Sequence, residues 1–332
     1  MKTVLTGIKP TGELHLGNYL GAIKPAIDLS HDKNNKYAYF VADIHALNND
    51  AIRKEGAINE LTKKIAAAFF ALGLDTERCL FYKQSDIPQI TEMSMYLMNE
   101  TSKGLLNRAH AYKAKVQDNV ANHFDPDKGV NMGLFNYPVL MAADILIMDT
   151  DIVPVGKDQL QHIEITRDIA QSINSQYGEI FKLPVASIDE TTMVLPGNDG
   201  RKMSKSYGNT IPLFSTEKQL YKNIMKIKTD SIALGEPIPT EGSVVYTLFK
   251  AFLAEHDMVE VKKQFAAGVG YGNLKKLLYE VINNDLNDKR LKYFELLEDP
   301  TYIDSILEKN KEIVRNQAQS KLDLLKDKML NH

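Results

Sequence analysis

The chain has 332 residues with 43 acidic and 40 basic side chains, a net charge of −3, and it is 44% hydrophobic and 25% charged. That length predicts two packed domains, and that balance predicts a water-soluble globular protein and excludes collagenous or disordered character. A slightly acidic chain has no overall attraction for nucleic acid, so a polyanionic partner must be met by local clusters of Lys and Arg. Its apolar runs fall short of the roughly 20 residues a membrane helix needs. MKTVLTGIKP lacks the basic-then-apolar layout of a signal peptide, so the expected address is cytoplasmic, away from membranes. Cys79 is the sole cysteine, cannot form an internal disulfide, and reads as core.

In chain order, TVL at 3–5, YAYFVAD at 37–43 and CLFYK at 79–83 read as strands, alternating with helical patterns such as 51–72. That rhythm predicts βαβ units and a parallel sheet. A helix over 88–99 is followed by KVQDNVANHFDPDKG at 115–129, polar enough to read as a loop, and by a buried helix in FNYPVLMAADILIMD. IVPV at 152–155 reads as a strand, and KDQLQHIEITRDIAQSIN after Gly156 as a long amphipathic helix. Beyond residue 211 strands stop, and STEKQLYKNIMKI, SVVYTLFKAFLAE, GNLKKLLYEVINNDL and the run 300–330 carry helical periodicity. The expected division is an α/β domain over 1–210 and an all-helical domain over 211–332, whose last helix is able to pack back on the first.

In an open parallel sheet, ligands bind where strands hand over to helices. The first such turn is TGELHLGNYLG, where Gly7, Gly12 and Gly17 allow close approach of backbone to ligand. A helix starting near His15 aims its free N–H groups at that site, a setting for phosphate, and His15 and Asn18 at i, i+3 share its face. The same segment also fits a plain turn capped by Thr11 and Glu13. Far away, GNDGRKMSKSYGN at 197–209 places Lys202 and Lys205 on one short glycine-flanked turn, a mobile loop with cations for a polyphosphate. Neither a Walker A loop nor a GxGxxG fingerprint is present.

PTGELHLGN at 10–18 together with KMSKS at 202–206 resembles the paired signatures of the class I aminoacyl-tRNA synthetases, the first a variant of their HIGH motif with Asn18 in its last position. The resemblance implies a Rossmann-like nucleotide-binding domain with a helical C-terminal domain, and ATP with Mg2+ as substrate. It places Lys9, Pro10, Thr11, Gly17, Asn18, Lys202, Met203, Ser204, Lys205 and Ser206 around ATP, with His15, Asn18, Lys202 and Lys205 as the catalytic set. Gly156, Lys157 and Asp158 would lie near the ribose, and Lys115, from the basic cluster AHAYKAK, near the triphosphate. Lys9 stands where several relatives carry Gln.

YPVLMAADIL at 137–146 and DIVPVGKDQLQHIE at 151–164 look like the tryptophanyl-tRNA synthetase family, over nearly the whole chain. The related tyrosyl enzymes usually show Gln where Met141 stands. Met141 and Asp144, at i, i+3 on an apolar helix, offer a thioether and one carboxylate to one pocket, which suits an indole with its single N–H. By resemblance Asp144 holds the indole nitrogen, Tyr137, Met141, His45, Val153, Val155 and Gly7 shape the pocket, and Gln159 reaches the amino group. L-tryptophan, ATP and tRNA(Trp) are the implied partners, in a homodimer, with no metal held by protein ligands. Residues 211–332 carry 18 basic and 18 acidic side chains, so tRNA must meet local groups such as Lys222, Lys226 and Lys228. Three other readings compete: tyrosine activation, a small-molecule adenylyltransferase, and a non-catalytic synthetase paralogue that binds tRNA.

Overall fold

Among the described residues five short segments form the strands β1 (Lys2–Ile8), β2 (Asn35–Val41), β3 (Cys79–Lys83), β4 (Ile152–Pro154) and β5 (Val185–Ser187). The structure, a computed structural model, describes residues 1–49, 52–188 and 194–331. All five strands pair in parallel in the order β3-β2-β1-β4-β5. Alternation along each strand sorts side chains to two faces: Val4, Tyr37, Tyr39 and Phe81 enter one core, and Leu5, Ala38, Phe40 and Tyr82 the other.

Helices cover both faces, as a parallel sheet requires. A short turn α1 (Leu16–Asn18) runs through a π turn at Tyr19–Ile23 into α2 (Lys24–Ser30), and α3 (Asp43–Ala46) precedes α4 (Ala57–Ala71). Leu16, Ile23 and Ile27 join the Ala66–Phe70 stretch of α4 in the first core. The second core is built from α5 (Pro88–Glu100), α8 (Met132–Ile147) and α9 (Leu160–Tyr177). Between α5 and α8 lie α6 (Lys103–Asn107) and α7 (His110–Ala121).

The C-terminal part is helical: α10 (Glu217–Met225), α11 (Val244–Phe252), α12 (Met258–Ala266), α13 (Tyr271–Glu298) and α14 (Thr301–Leu330). Leu220, Val245, Phe265, Leu278 and Leu286 extend the first core without a break, so these helices share one apolar interior with α4 and the sheet. Helix α14 lies along β3, α5 and α8, and Val314, Ala318, Leu322 and Leu325, at helical spacing, fill the second core. Asn310 Nδ2 reinforces this by donating to the Phe81 carbonyl at 3.1 Å.

Three local readings are corrected. KVQDNVA continues α7 to Ala121, and only the residues after it form the loop; the helix is polar because most of it faces water. The helical pattern over 51–72 begins at Ala57, and Ala51 lies outside the described residues. Strand β5 and helix α12 are additions; β5 exposes Val185 and owes its strand conformation to pairing with β4. Among the described residues no helix is long and apolar enough to cross a membrane.

β1 is flanked by β2 on one side and β4 on the other, so the strand order reverses there and a crevice opens at the carboxyl ends of β1 and β4. The ends of β2 and β3 stand beside it.

Candidate active site

His15 occupies the N-cap of α1, and Thr11 and Glu13 do not. Its Nδ1 accepts the Asn18 N–H at 3.3 Å, while Asn18 Oδ1 accepts the His15 N–H at 3.2 Å, a reciprocal capping box. Burial, with the nearby Lys205 ammonium adding to it, lowers the His15 pKa to about 4, so the ring is neutral at pH 7. A neutral ring that accepts at Nδ1 carries its proton on Nε2. The two side chains therefore lock each other and keep Nε2–H and the Asn18 Nδ2–H2 as donors that no described residue takes.

The loop 202–206 is docked on this turn. Gly17 N–H points at Met203 Sδ, 3.4 Å away, and Met203 is buried. A Cβ on Gly17 would lie 3.0 Å from His15 Nδ1 and 3.5 Å from Met203 Sδ, so glycine permits this packing. Lys205 Nζ donates to the Thr11 carbonyl at 3.3 Å, and burial lowers its pKa. The loop's exit is tied as well: Leu16 N donates to Ile211 O at 3.0 Å and Leu213 N to Leu14 O at 2.9 Å. Lys202, Ser204 and Ser206 belong to the same loop, the Thr11 carbonyl meets it, and Pro10 is buried just before Thr11.

A second cluster lies behind the first, at the ends of β2 and β3. Asp144 on α8 is 1% exposed. Gln84 Nε2 donates to both of its carboxylate oxygens, at 2.8 and 2.9 Å, and His45 Nε2 donates to Oδ2 at 3.0 Å. The His45 N–H donates to Gln84 Oε1 at 3.3 Å, which fixes the Gln84 carboxamide so that its NH2 faces Asp144. Burial raises the Asp144 pKa, and the bonds from His45 and Gln84 oppose that rise. A carboxylate offers about four lone-pair positions. The described residues take three of these, and the other position on Oδ1 is open to one further donor.

Tyr137 packs edge-on to His45, ring centroids 4.6 Å apart, and to His162 at 5.2 Å, and Lys9 Nζ stands 4.2 Å over its face. Lys9 has no carboxylate partner among the described residues; burial lowers its pKa although water reaches it. Gly7, at the end of β1, has no room for a side chain, since a Cβ would stand 2.5 Å from Phe40 Cζ. Met141 lies half-buried on α8, and Val153 and Val155 bracket the end of β4. In the turn that follows, Asp158 curls over Gly156 and accepts from Gln159 Nε2 at 3.0 Å, beside Lys157.

Lys115 is the outlier: it lies on α7 with Cε beside Gly129, and no contact joins it to His15, Asn18 or the 202–206 loop. Conversely, sequence reasoning does not single out Gln84 or His162. Gln84 directly follows the run CLFYK and His162 sits in an amphipathic helix, so only their burial as polar groups marks them.

Burial, with the nearby Lys9 charge adding to it, likewise brings the His162 pKa to about 4. For both histidines the folded pKa lies below the unfolded value of 6.5, so the unfolded chain takes up protons first as pH falls. Their contribution to stability is whole above pH 6.5 and is lost progressively toward pH 4. Thermal unfolding at pH 7, 5.5 and 4.5 should show Tm falling through this window, with a shallower slope in His162→Gln. An unchanged slope in that variant would remove His162 from the effect.

The family model for tRNA synthetases class I (W and Y) matches residues 1–287. The tryptophan–tRNA ligase of Neisseria meningitidis is 45% identical over 327 residues, covering 98% of this chain and 97% of its own. That of Bordetella parapertussis is 48% identical over 326 residues, 98% of this chain and 72% of its own. A crystal structure of tryptophanyl-tRNA synthetase from Campylobacter jejuni complexed with ADP and tryptophan is 43% identical, covers 98% of this chain and 99% of that one, and superposes with a TM-score of 0.89. The parallel sheet is thus the Rossmann-like α/β unit of that fold, with its helical C-terminal region. On the family match, the level of identity and the two motif segments brought into contact, the chain belongs to the class I tRNA synthetases of the tryptophan and tyrosine group.

Proposed function

We propose that this chain is a tryptophan–tRNA ligase: it converts L-tryptophan and ATP to tryptophanyl-adenylate and pyrophosphate, then transfers the tryptophanyl group to the 3′-terminal adenosine of tRNA(Trp). One observation carries the reading. Residues 9–11 join a buried acceptor pocket to a phosphate-handling turn, because Lys9 covers Tyr137 while the Thr11 carbonyl meets Lys205. An amino acid seated on Asp144 would present its carboxylate toward the place where His15, Asn18 and Lys205 meet a triphosphate.

In the first step the tryptophan carboxylate attacks the α-phosphorus of ATP in line and pyrophosphate leaves. The chain supplies position and charge, and no nucleophile. His15 Nε2–H, Asn18 Nδ2–H2 and the backbone near Gly17 face the α-phosphate side, and Lys202 and Lys205 take the departing pyrophosphate. Gly156, Lys157 and Asp158 border the ribose, and Gln159 the amino group. Mg2+ enters as part of the ATP·Mg substrate. The donors at this turn are ammonium, imidazole N–H and amide N–H groups, which suit phosphate oxygens; among the described residues no cluster of His, Cys, Asp or Glu is arranged to hold a metal. In the second step a ribose hydroxyl of the terminal adenosine attacks the adenylate carbonyl and AMP leaves.

The proposal extends to architecture. Residues 1–210 are the catalytic domain and 211–332 the anticodon-reading domain, where Lys222 and Lys226 meet RNA and bases stack and pair by their edges. Lys228 N donates to Asn198 O at 2.7 Å, which ties the segment just after α10 to the 197–209 loop. The protein works as a cytoplasmic homodimer.

The chain contains no Trp, so tryptophan fluorescence in a mixture reports only the ligand. Saturable anisotropy on adding protein, together with tryptophan-dependent ATP–pyrophosphate exchange, is the expected result. Exchange supported by tyrosine and not by tryptophan would overturn the reading.

A further inference from the structure

Asn209 lies outside the KMSKS signature, yet its side chain is the centre of that loop. It is 1% exposed. Its Oδ1 accepts the Ser204 N–H at 2.8 Å, which fixes the carboxamide orientation. Its Nδ2 then donates to Asp199 Oδ1 at 2.7 Å and to the carbonyl of Lys202 at 3.1 Å, and lies 3.4 Å from that of Arg201. The backbone joins in, with Asn198 N donating to Asn209 O at 3.0 Å. Gly197 presses on the same group: a Cβ there would stand 2.4 Å from Asn209 Cγ. Around this centre Asp199 also holds Arg201, whose guanidinium stacks over Tyr207 with its carbon 4.5 Å from the ring centroid.

The ends of the loop are thereby unlike its middle. The backbone of Lys202 is held by Asn209, while the Lys202 side chain is exposed and has no partner among the described residues. A cation that must meet a leaving group gains from a fixed backbone and a free ammonium, because less ordering remains to be done in the transition state. A buried carboxamide that satisfies several backbone groups also lets the loop move as one body.

We propose that Asn209 is a positioning residue for adenylate formation, its carboxamide tying Asp199, Lys202 and Ser204 into one rigid turn from which Lys202 reaches pyrophosphate. The inference rests on the activity proposed above. It acts through Lys202, so it predicts coupling between the two residues and no effect on the amino-acid pocket.

The test is a double-mutant cycle on the full-length protein, read by tryptophan-dependent ATP–pyrophosphate exchange and by tryptophan-ligand anisotropy. Asn209→Ala should lower kcat about 10- to 30-fold, below the roughly 10²-fold that a full 1 Å misplacement of a reacting group can cost, while tryptophan Kd stays within about twofold of the unaltered chain. In a Lys202→Ala background the same change should cost less than about threefold, because coupled sites are not additive. Should Asn209→Ala fail to fold, Asn209→Ser, which keeps a small polar group at that position, carries the same comparison. Equal losses in both backgrounds, a parallel loss of tryptophan binding, or undiminished kcat would each overturn the proposal. The unaltered chain is run alongside: if it shows no tryptophan-dependent exchange, the activity itself falls; if it exchanges and the cycle is additive, only the role of Asn209 falls.

Discussion

Asp144→Ala is expected to lower kcat/KM for tryptophan by roughly 10²–10³-fold, since truncating one partner of a buried charge-assisted hydrogen bond costs about 2–5 kcal/mol. The expectation follows from the arithmetic of lone pairs. Gln84 and His45 together make three contacts to the Asp144 carboxylate, and the free position on Oδ1 suits the one N–H of an indole. Phenylalanine brings no donor, so it would seal a buried carboxylate with that position unmet, and a site built around a polar group rejects such analogues by about 10⁴-fold or more. The variant should therefore lose tryptophan and phenylalanine unequally, and the ratio of the two in pyrophosphate exchange should narrow toward unity. Asp144→Asn separates charge from shape: it keeps the volume and an acceptor oxygen but loses the charge that draws His45 and Gln84. A tryptophan-to-phenylalanine ratio unchanged in both variants would remove Asp144 from recognition.

The sequence disclosed the parts of this pocket unevenly, and the reasons are physical. Met141 and Asp144 share a helix face, so their spacing alone brought them together, and the structure keeps both on α8. Tyr137 lies one turn earlier on the same helix. Gln84 completes the carboxylate's shell from the end of β3, and it reaches Asp144 only because β2 and β3 end side by side beneath α8. A contact across 60 residues is a product of topology, and no local periodicity records it. The strands were legible where branched and aromatic residues cluster, even in runs as short as TVL and IVPV; β5, Val-Ala-Ser with Val185 exposed, has no such run and depends on its partner strand. His15 shows a subtler gap. Its i, i+3 relation to Asn18 was plain, but the spacing suggested two side chains projecting in parallel, whereas the chain uses them to cap each other and thereby to orient their remaining donors.

Lys205→Ala should reduce kcat for adenylate formation by about 10²–10³-fold, the loss usual when one preorganised donor to developing charge is removed, with tryptophan affinity unchanged. Lys205 Nζ is held at 3.3 Å by the Thr11 carbonyl, and burial already depresses its pKa, so the ammonium is partly desolvated before any anion arrives. Phosphate oxygens would then gain a cation already placed at the turn, on a side chain that is otherwise exposed. The unequal effect on kcat and binding follows from location: Asp144 and Tyr137, the proposed amino-acid contacts, meet His45, Gln84, His162 and Lys9 and not this loop. A second signature distinguishes lost charge from a displaced loop. The Lys205 ammonium helps keep His15 near pH 4, so its removal should raise the His15 pKa and move the acid limb of the rate profile upward in pH. Lys205→Arg retains the charge and should keep that limb in place, yet the planar guanidinium cannot reproduce a point donor beside Thr11 and should recover only part of the rate. If the alanine variant lost tryptophan binding in proportion to kcat, the loop would be supporting the pocket and not the leaving group, and the division of labour between the two clusters would have to be redrawn.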